Sequence, residues 1–445
     1  MLRDLRALED RDFGFELQKY FRPQNPVDRV DLLQGRQGQV RQVDRAVAST
    51  GRSVFVWGDR GVGKTSLAIA SAQNNLPTGV HPLVASCDSR SSALSLVKSI
   101  IEDLIGKDPL KPTLGLSAEL ALGPLKLAAD RSTRDFEITN INDAVRLLSA
   151  GVDKWRENFR GFRPIVIVDE FDLLPEGERR YFGDLVKQIG DRQLMTTFMF
   201  CGVSESFEDL LAGHESAYRY IEAVQLERLY LDDAMEILKT GATALGLEVH
   251  PDHQLRAAQI SDGFPHFIHL IGSSLFWEYY EDKSRATKLE PRHFETGIIR
   301  AVQSTEKRLQ ELYNKATRKY TGGWDYILWA AADHHQLNQS STTIFDSYCR
   351  IVKDALRVKA NDPASTLPEV VSSNEKRQDP FDRARFNTKM NALKNAPHGH
   401  VLRGSRSGWY RFGIPMLRGY CRLIAHRHGI RLGIEYPISK PYPTT

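Results

Sequence analysis

The sequence predicts an α/β fold, a doubly wound parallel sheet, followed by an all-α unit and a basic C-terminal region of short helices and strands. Three observations predict it. Ser53-Val54-Phe55-Val56-Trp57 is a short apolar run that ends in a glycine loop and leads into the helix formers from Thr65 to Asn74, in the order strand, loop, helix. Ile165-Val166-Ile167-Val168 is a continuous β-branched run, as expected of a central strand covered on both faces. After Leu229 the strand-like runs stop, and apolar residues recur at helical spacing.

In chain order, Asp12 to Arg36 reads as a loop-rich lead with Pro23, Pro26 and Gly35-Arg36, before a helix from Gln39 to Ala48. Beyond the first strand and its helix, Pro82 to Ser86 reads as a second strand. Ser91 to Ile105 spaces Leu94, Val97, Ile101 and Leu104 as a helix does. Leu114 to Ala128, punctuated by Gly115, Gly123 and Pro124, fits either a hairpin on the sheet rim or a flexible loop. Asn142 to Phe159 predicts a helix and Phe198-Met199-Phe200-Cys201 another strand. Helices are then predicted over Leu231 to Leu245, Pro251 to Gln259, Phe264 to Tyr280 and His293 to Tyr320, and Lys359 to Pro380 reads as a linker or disordered insertion. The expected division is a core at 1–228, a helical lid at 229–320 and a basic domain at 321–445, with the linker at 359–380.

A chain of 445 residues and 50.4 kDa exceeds one ordinary domain, and 41% hydrophobic with 26% charged residues excludes a disordered, collagen-like or membrane-embedded chain. No run approaches the 18 or so apolar residues of a membrane span, and Met1-Leu2-Arg3-Asp4-Leu5-Arg6 mixes charges where a secretion signal turns apolar. Cys87, Cys201, Cys349 and Cys421 form no CxxC pair, so neither a zinc knuckle nor a disulfide framework is expected, and a reducing, cytoplasmic location fits. The net charge of +4 hides an asymmetry. Residues 381–445 carry twelve Lys and Arg against Asp382 and Glu435, a local charge of +10. That surplus suits nucleic acid, an acidic protein partner, or merely a solvated surface.

Gly58-Asp59-Arg60-Gly61-Val62-Gly63-Lys64-Thr65 matches GxxxxGK[ST] directly after a strand and directly before a helix. Glycines let such a loop turn its N–H groups around a phosphate, and the new helix presents its positive end. With Ser66, these residues are the expected nucleotide cradle, Lys64 reaching the β- and γ-phosphates and the Thr65 hydroxyl binding Mg²⁺. Asp169-Glu170, at the carboxyl end of the β-branched run, supplies the acid such a loop needs: Asp169 holds Mg²⁺ through water, and Glu170 is placed to act as the base that orients the attacking water. The plainer alternatives are a glycine turn and a pair of helix-capping acids.

With that loop and acid pair, the sequence resembles the P-loop ATPases that carry an additional catalytic glutamate, and among them the AAA+ and STAND branches, over roughly residues 20 to 280. The resemblance implies that Ser204, in Gly202-Val203-Ser204-Glu205, is the sensor 1 equivalent near the γ-phosphate. It implies that Arg219, after Ser216-Ala217-Tyr218, is an arginine finger. Asn25-Pro26-Val27 and Gly35-Arg36 resemble the stretch by which origin-recognition initiators and STAND ATPases contact the nucleotide base. Gly263-Phe264-Pro265 resembles the STAND GxP motif, whose proline approaches adenine. AAA+ proteins commonly carry a sensor 2 arginine near this position; here Pro265 is followed by His266, Phe267, Ile268 and His269, which favours STAND and leaves the sensor 2 equivalent open between a phosphate contact by His266 or His269 and the commoner structural role of a histidine on a packed helix.

A second resemblance lies at the C-terminus. Phe386 to Leu393 reads as a helix, Val401-Leu402-Arg403 and Trp409-Tyr410-Arg411-Phe412 as strands around Gly404 to Gly408, and Ile414 to Arg427 as a closing helix, which is similar to the wing half of a winged-helix domain. Initiators use that domain on DNA, and STAND proteins use it to hold the nucleotide domain closed. The expectation is therefore a homo-oligomeric, Mg²⁺-dependent ATP switch that regulates a protein effector, as in bacterial antiphage systems. The alternative is an initiator or loader that grips duplex DNA through residues 381–445.

Overall fold

The computed structural model describes residues 5–106, 138, 140–204, 215–284, 288–318, 322–369 and 382–435, so the rim segment expected between Leu114 and Ala128 lies outside the described residues. The chain divides into two compact units, one formed by residues 26–59 and 63–227, the other by residues 1–25, 60–62 and 228–445.

The first unit is a parallel sheet with helices on it. Its strands are β1 (Ser53–Trp57), β2 (Leu83–Ser86), β3 (Ile165–Asp169), β4 (Thr197–Gly202) and β5 (Ile221–Gln225), in the spatial order β2-β3-β4-β1-β5. β4 is buried along its whole length, and in β1 and β3 only the last residue is partly exposed. That burial explains their unbroken apolar runs, because each has helices or neighbouring strands on every side. The helices α2 (Gln37–Ala48), α3 (Lys64–Asn74), α4 (Ala93–Gly106), α5 (Ile141–Asn158) and α6 (Glu176–Asp191) complete the predicted α/β fold. Asn140 starts α5 by accepting N–H bonds from Asn142 and Asp143 at 2.9 and 3.1 Å.

β5 is a strand that the sequence reading did not assign. As one of the sheet's two outer strands it alternates irregularly, with only Ile221 and Val224 buried.

The second unit is mainly helical. The lead is not a simple loop: it contains α1 (Asp10–Gln18), and Phe13, Leu17 and Phe21, four apart, are all buried. Phe13 stacks on Tyr280 at 4.1 Å between ring centroids and meets Trp277 edge-on at 4.8 Å. Phe21 occupies space that only Gly241 and Gly272 leave open, since a Cβ at either would fall 2.4 or 2.3 Å from its ring. The lead packs on a helical array of α7 (Leu231–Ala244), α8 (Pro251–Ser261), α9 (Pro265–Glu281), α10 (Pro291–Ser304) and α11 (Lys307–Thr317). One continuous helix over His293 to Tyr320 is thus replaced by two, because Thr305 and Glu306 take extended backbone conformations.

Next come α12 (Trp324–Ala331), β6 (Gln339–Ser340), α13 (Ser341–Asn361), α14 (Arg383–Ala392), β7 (Leu402–Arg406), β8 (Trp409–Phe412) and α15 (Leu417–Arg427). β8 lies between β6 and β7 in an antiparallel sheet. The order helix, strand, helix, helix, strand, strand is compatible with the winged-helix reading. The expected linker is ordered in its first part: α13 runs to Asn361, Leu367 is buried, and Pro368 and Glu369 accept bonds from the Tyr326 hydroxyl (2.6 Å) and the Gly323 N–H (3.0 Å).

Arg418 and Arg422 of α15 are fully buried. They pair with the equally buried Asp262 at 2.7 and 3.0 Å, and Arg228 adds a third ion pair at 2.7 Å. Burial alone would raise the Asp262 pKa; Arg228, Arg418 and Arg422 together hold it below the usual carboxylate value. Two of the C-terminal cations therefore form part of the core and not a basic surface. All four cysteines are free, and Cys87, Cys201 and Cys421 are buried. Among the described residues no helix is long and apolar enough to cross a membrane.

Candidate functional site

β1 leads into the loop through Gly58, at φ 143°, where an added Cβ would lie 2.2 Å from the Leu226 carbonyl oxygen, so only glycine passes beside the end of β5. Gly61 and Gly63 follow at φ 84° and 97°, and Gly63 is the N-cap of α3. Asp59 is half-buried, Arg60 exposed and Val62 buried.

Lys64, the first residue of α3, is 9% exposed, and its ammonium donates to the carbonyls of Gly58 at 3.1 Å and Asp59 at 2.8 Å. Burial lowers its pKa, against the pull of the Asp172, Asp169 and Asp59 carboxylates among other groups. Thr65 Oγ1 donates to Asp169 Oδ2 at 2.8 Å, closing the loop onto the acid strand 104 residues away. Ser66 Oγ accepts from the Val27 N–H at 3.1 Å, which ties the segment carrying Pro26 and Val27 to the start of α3. Val27 is buried and Pro26 exposed. Gly35 turns at φ 70°, and the buried Arg36 donates to the Glu227 carbonyl at 2.6 Å.

At the end of β3, Asp169 Oδ1 accepts the Glu170 N–H at 2.9 Å, and Glu170 is exposed with φ 54°. The following Phe171 is fully buried among Phe55 of β1, Phe200 of β4 and Phe182 of α6, at centroid distances of 5.3, 5.0 and 5.6 Å. This aromatic anchor fixes the turn that carries Glu170. Asp172 Oδ1 then accepts the Val203 N–H at 2.7 Å, holding the exit of β4 against the acid turn. Ser204 is half-buried two residues beyond Gly202, which is paired with Trp57. The carboxyl ends of β1, β4 and β3 thus bring together the loop, Ser204 and the Asp169-Glu170 pair. Phe171 and Asp172 were not picked out from sequence; their signal is the succession of an apolar and an acidic residue directly after the acid pair.

Arg219 is elsewhere. It precedes β5, whose first residue pairs with Ser53, so it stands at the amino end of the parallel strands while the loop stands at their carboxyl end. Its guanidinium bonds Asp191 at 3.1 Å, lies 4.8 Å from the Tyr220 ring centroid and is 63% exposed. Neither neighbouring glutamate is the partner in that bond; Glu222 instead pairs with Arg52 at 2.7 Å.

Pro265 is in the other unit, as the first residue of α9 after Asp262 and Gly263 in left-handed conformations. His266 Nδ1 is bonded to the Pro23 carbonyl at 2.8 Å, and His269 Nδ1 accepts the Arg22 N–H at 3.4 Å. Burial lowers both pKa values, that of His269 to about 4. Both histidines thus bond the lead segment.

Residues 32–196 match the AAA ATPase domain family. With the strand order, the glycine loop and the Thr65–Asp169 contact, this gives the nucleotide-loop region the class of an AAA-type P-loop ATPase domain. Comparison with curated proteins finds no match. Among solved structures, a Walker-type ATPase of Pyrococcus abyssi is similar at 16% identity and TM-score 0.48, covering 90% of this chain and 99% of that one. The ORC2 protein of Aeropyrum pernix is similar at 12% identity and TM-score 0.46, covering 93% and 98%. The RuvB Holliday junction branch migration motor of Thermotoga maritima is similar at 12% identity and TM-score 0.42, covering 87% and 95%. None of these likenesses bears on what this chain acts upon.

The residues at the loop suit a magnesium nucleotide. No group of three or more His, Cys, Asp and Glu able to hold a metal occurs among the described residues. Thr65 and Asp169 make a two-oxygen set, which suits Mg²⁺ that completes its shell with waters and substrate phosphates.

Proposed function

We propose that the chain is an ATP-binding and ATP-hydrolysing switch of the STAND/AAA+ type, which oligomerises and regulates or recruits a protein effector. The observation that carries the reading is the Thr65–Asp169 bond, beside a buried Lys64 that already donates to loop carbonyls. In this reading Gly58 to Ser66 cradle the phosphates, Lys64 exchanges its carbonyl partners for phosphate oxygens, and Thr65 with Asp169 holds Mg²⁺. The bound ion neutralises charge on the phosphates. Glu170, exposed beside Asp169, takes the proton of the attacking water, and Ser204 senses the γ-phosphate. Pro26, Val27, Gly35 and Arg36 contact the base, and Arg219 acts on a neighbouring subunit. The pathway, antiphage defence, is supported by the family resemblance alone.

Calorimetry tests the site: Lys64→Ala loses ATP binding by at least about a hundredfold, or roughly 3 kcal/mol. Equal affinity in wild type and variant would refute the assignment.

One observation favours a second reading, grip on duplex DNA. Arg403 and Arg406 are exposed on β7, beside the turn into β8, in an element order compatible with a winged helix. Arg406 stacks on Trp409, 3.8 Å from its ring centroid, so its stem is supported while its donors stay available to phosphate.

A further inference from the structure

The unit containing residues 228–445 holds a cavity of about 740 Å³ between α10, α11, α12 and α15, within the size range of small-molecule sites. Three features of its wall belong together. Asp325, in the first turn of α12, accepts the Tyr313 hydroxyl at 2.6 Å, and Tyr313 in turn accepts the Trp329 indole N–H at 3.0 Å. No lysine or arginine is ion-paired with this carboxylate among the described residues, and burial raises its pKa against the opposing Tyr313 bond and the more distant charge of Arg318. Arg318 and Arg427 line the same cavity, and neither pairs with a carboxylate among the described residues. The histidine beside them does not add a charge, because burial and Arg427 hold His428 down to about 4. Tyr420, edge-on to Tyr313 at 5.7 Å, supplies an aromatic wall.

Two exposed arginines with no carboxylate within ion-pair distance among the described residues suit an anion, and a half-buried carboxylate whose one side-chain hydrogen bond is to a hydroxyl keeps acceptor capacity for N–H donors. We propose that this cavity binds a mononucleotide, its phosphate on Arg318 and Arg427 and the N–H edge of its base on Asp325. A guanine base fits best, since its ring N–H and amino group lie side by side and can both donate to one carboxylate. Such a ligand is distinct from the P-loop nucleotide, and the proposal does not depend on ATP hydrolysis. Its place among the helices joining α10 and α11 to the C-terminal elements suits an input signal more than a second catalytic centre.

The test is calorimetry on the full chain carrying Lys64→Ala, which removes the P-loop lysine, titrated with guanosine monophosphate. The expected result is one saturable site of about micromolar affinity. Arg318→Ala and Arg427→Ala each weaken it about tenfold, and Asp325→Asn abolishes the preference for guanosine monophosphate over ribose 5-phosphate. Circular dichroism melting of each variant separates lost binding from lost fold; Arg318 and Arg427 are exposed, so their variants keep the proposal testable if Asp325→Asn unfolds. Absence of binding, or binding unchanged by removal of both arginines, overturns the site. Equal affinity for ribose 5-phosphate in the parent overturns the nucleotide and leaves an anion site only.

Discussion

Glu170 stands in a left-handed backbone conformation that costs a residue with a side chain about 1 kcal/mol or more. Phe171 and Asp172 are what hold it there. The buried ring locks the turn into the core, and the Asp172 carboxylate takes the Val203 N–H just before Ser204. Asp172→Ala removes this exposed bond, at a cost of about 0.5–1.5 kcal/mol because water can take the acceptor's place, and lets the exit of β4 drift from the acid turn. The expected outcome is a fall in ATP turnover of about tenfold or more with ATP affinity changed less than about threefold. Steady-state kinetics with parallel calorimetry read the two separately; a loss confined to affinity would make Asp172 part of the binding surface. These two residues were hard to see in the sequence because their role is positional. Lys64, Thr65 and Asp169 were legible because phosphate and Mg²⁺ chemistry demands those side chains in that order, whatever surrounds them.

Among the elements, the buried strands β1, β3 and β4 announced themselves by apolar runs, and β2 by position. The edge strand β5 lacked that signal. α1 was obscured by the prolines that follow it, although Phe13, Leu17 and Phe21 carry its periodicity, and β6 is only two residues long. The cluster of Asp262 with Arg228, Arg418 and Arg422 was not legible at all, since Asp262 and Arg418 are 156 residues apart and nothing local marks either as buried. It predicts a large effect. Asp262→Ala strands three guanidiniums in the interior and should cost roughly 3–5 kcal/mol in urea unfolding. Because the folded-state pKa of Asp262 is depressed, its contribution is fully present above the unfolded carboxylate value near 4 and is lost as pH falls through the lower folded value. The difference between wild type and variant should therefore be greatest at neutral pH and shrink in strong acid. A difference independent of pH would assign the loss to packing.

For the whole molecule, the C-terminal surplus of positive charge is smaller at the surface than in the sequence, as Arg418 and Arg422 are spent on Asp262. Cutting the chain before residue 381 would remove them and expose the core, so point variants are the sound probe of nucleic-acid binding. If DNA is a ligand, replacing both Arg403 and Arg406 by Ala should flatten the dependence of log affinity on log salt by about 1.8, and an unchanged slope would place the contact elsewhere. Assembly has its own test. Arg219 stands at the amino end of the sheet, remote from its own loop, so a role in hydrolysis requires a neighbouring subunit. Arg219→Ala should bind ATP normally and hydrolyse it about a thousandfold more slowly, with partial rescue by excess Glu170→Gln subunits. Full activity of Arg219→Ala in the assembled state would leave Arg219 as the surface partner of Asp191. The central claim, that Asp169-Glu170 and the glycine loop form one hydrolytic site, is tested most directly by measuring ATP affinity and turnover in Glu170→Gln. The account predicts affinity within about threefold of wild type and turnover reduced at least about a hundredfold. Turnover at the wild-type rate would contradict it.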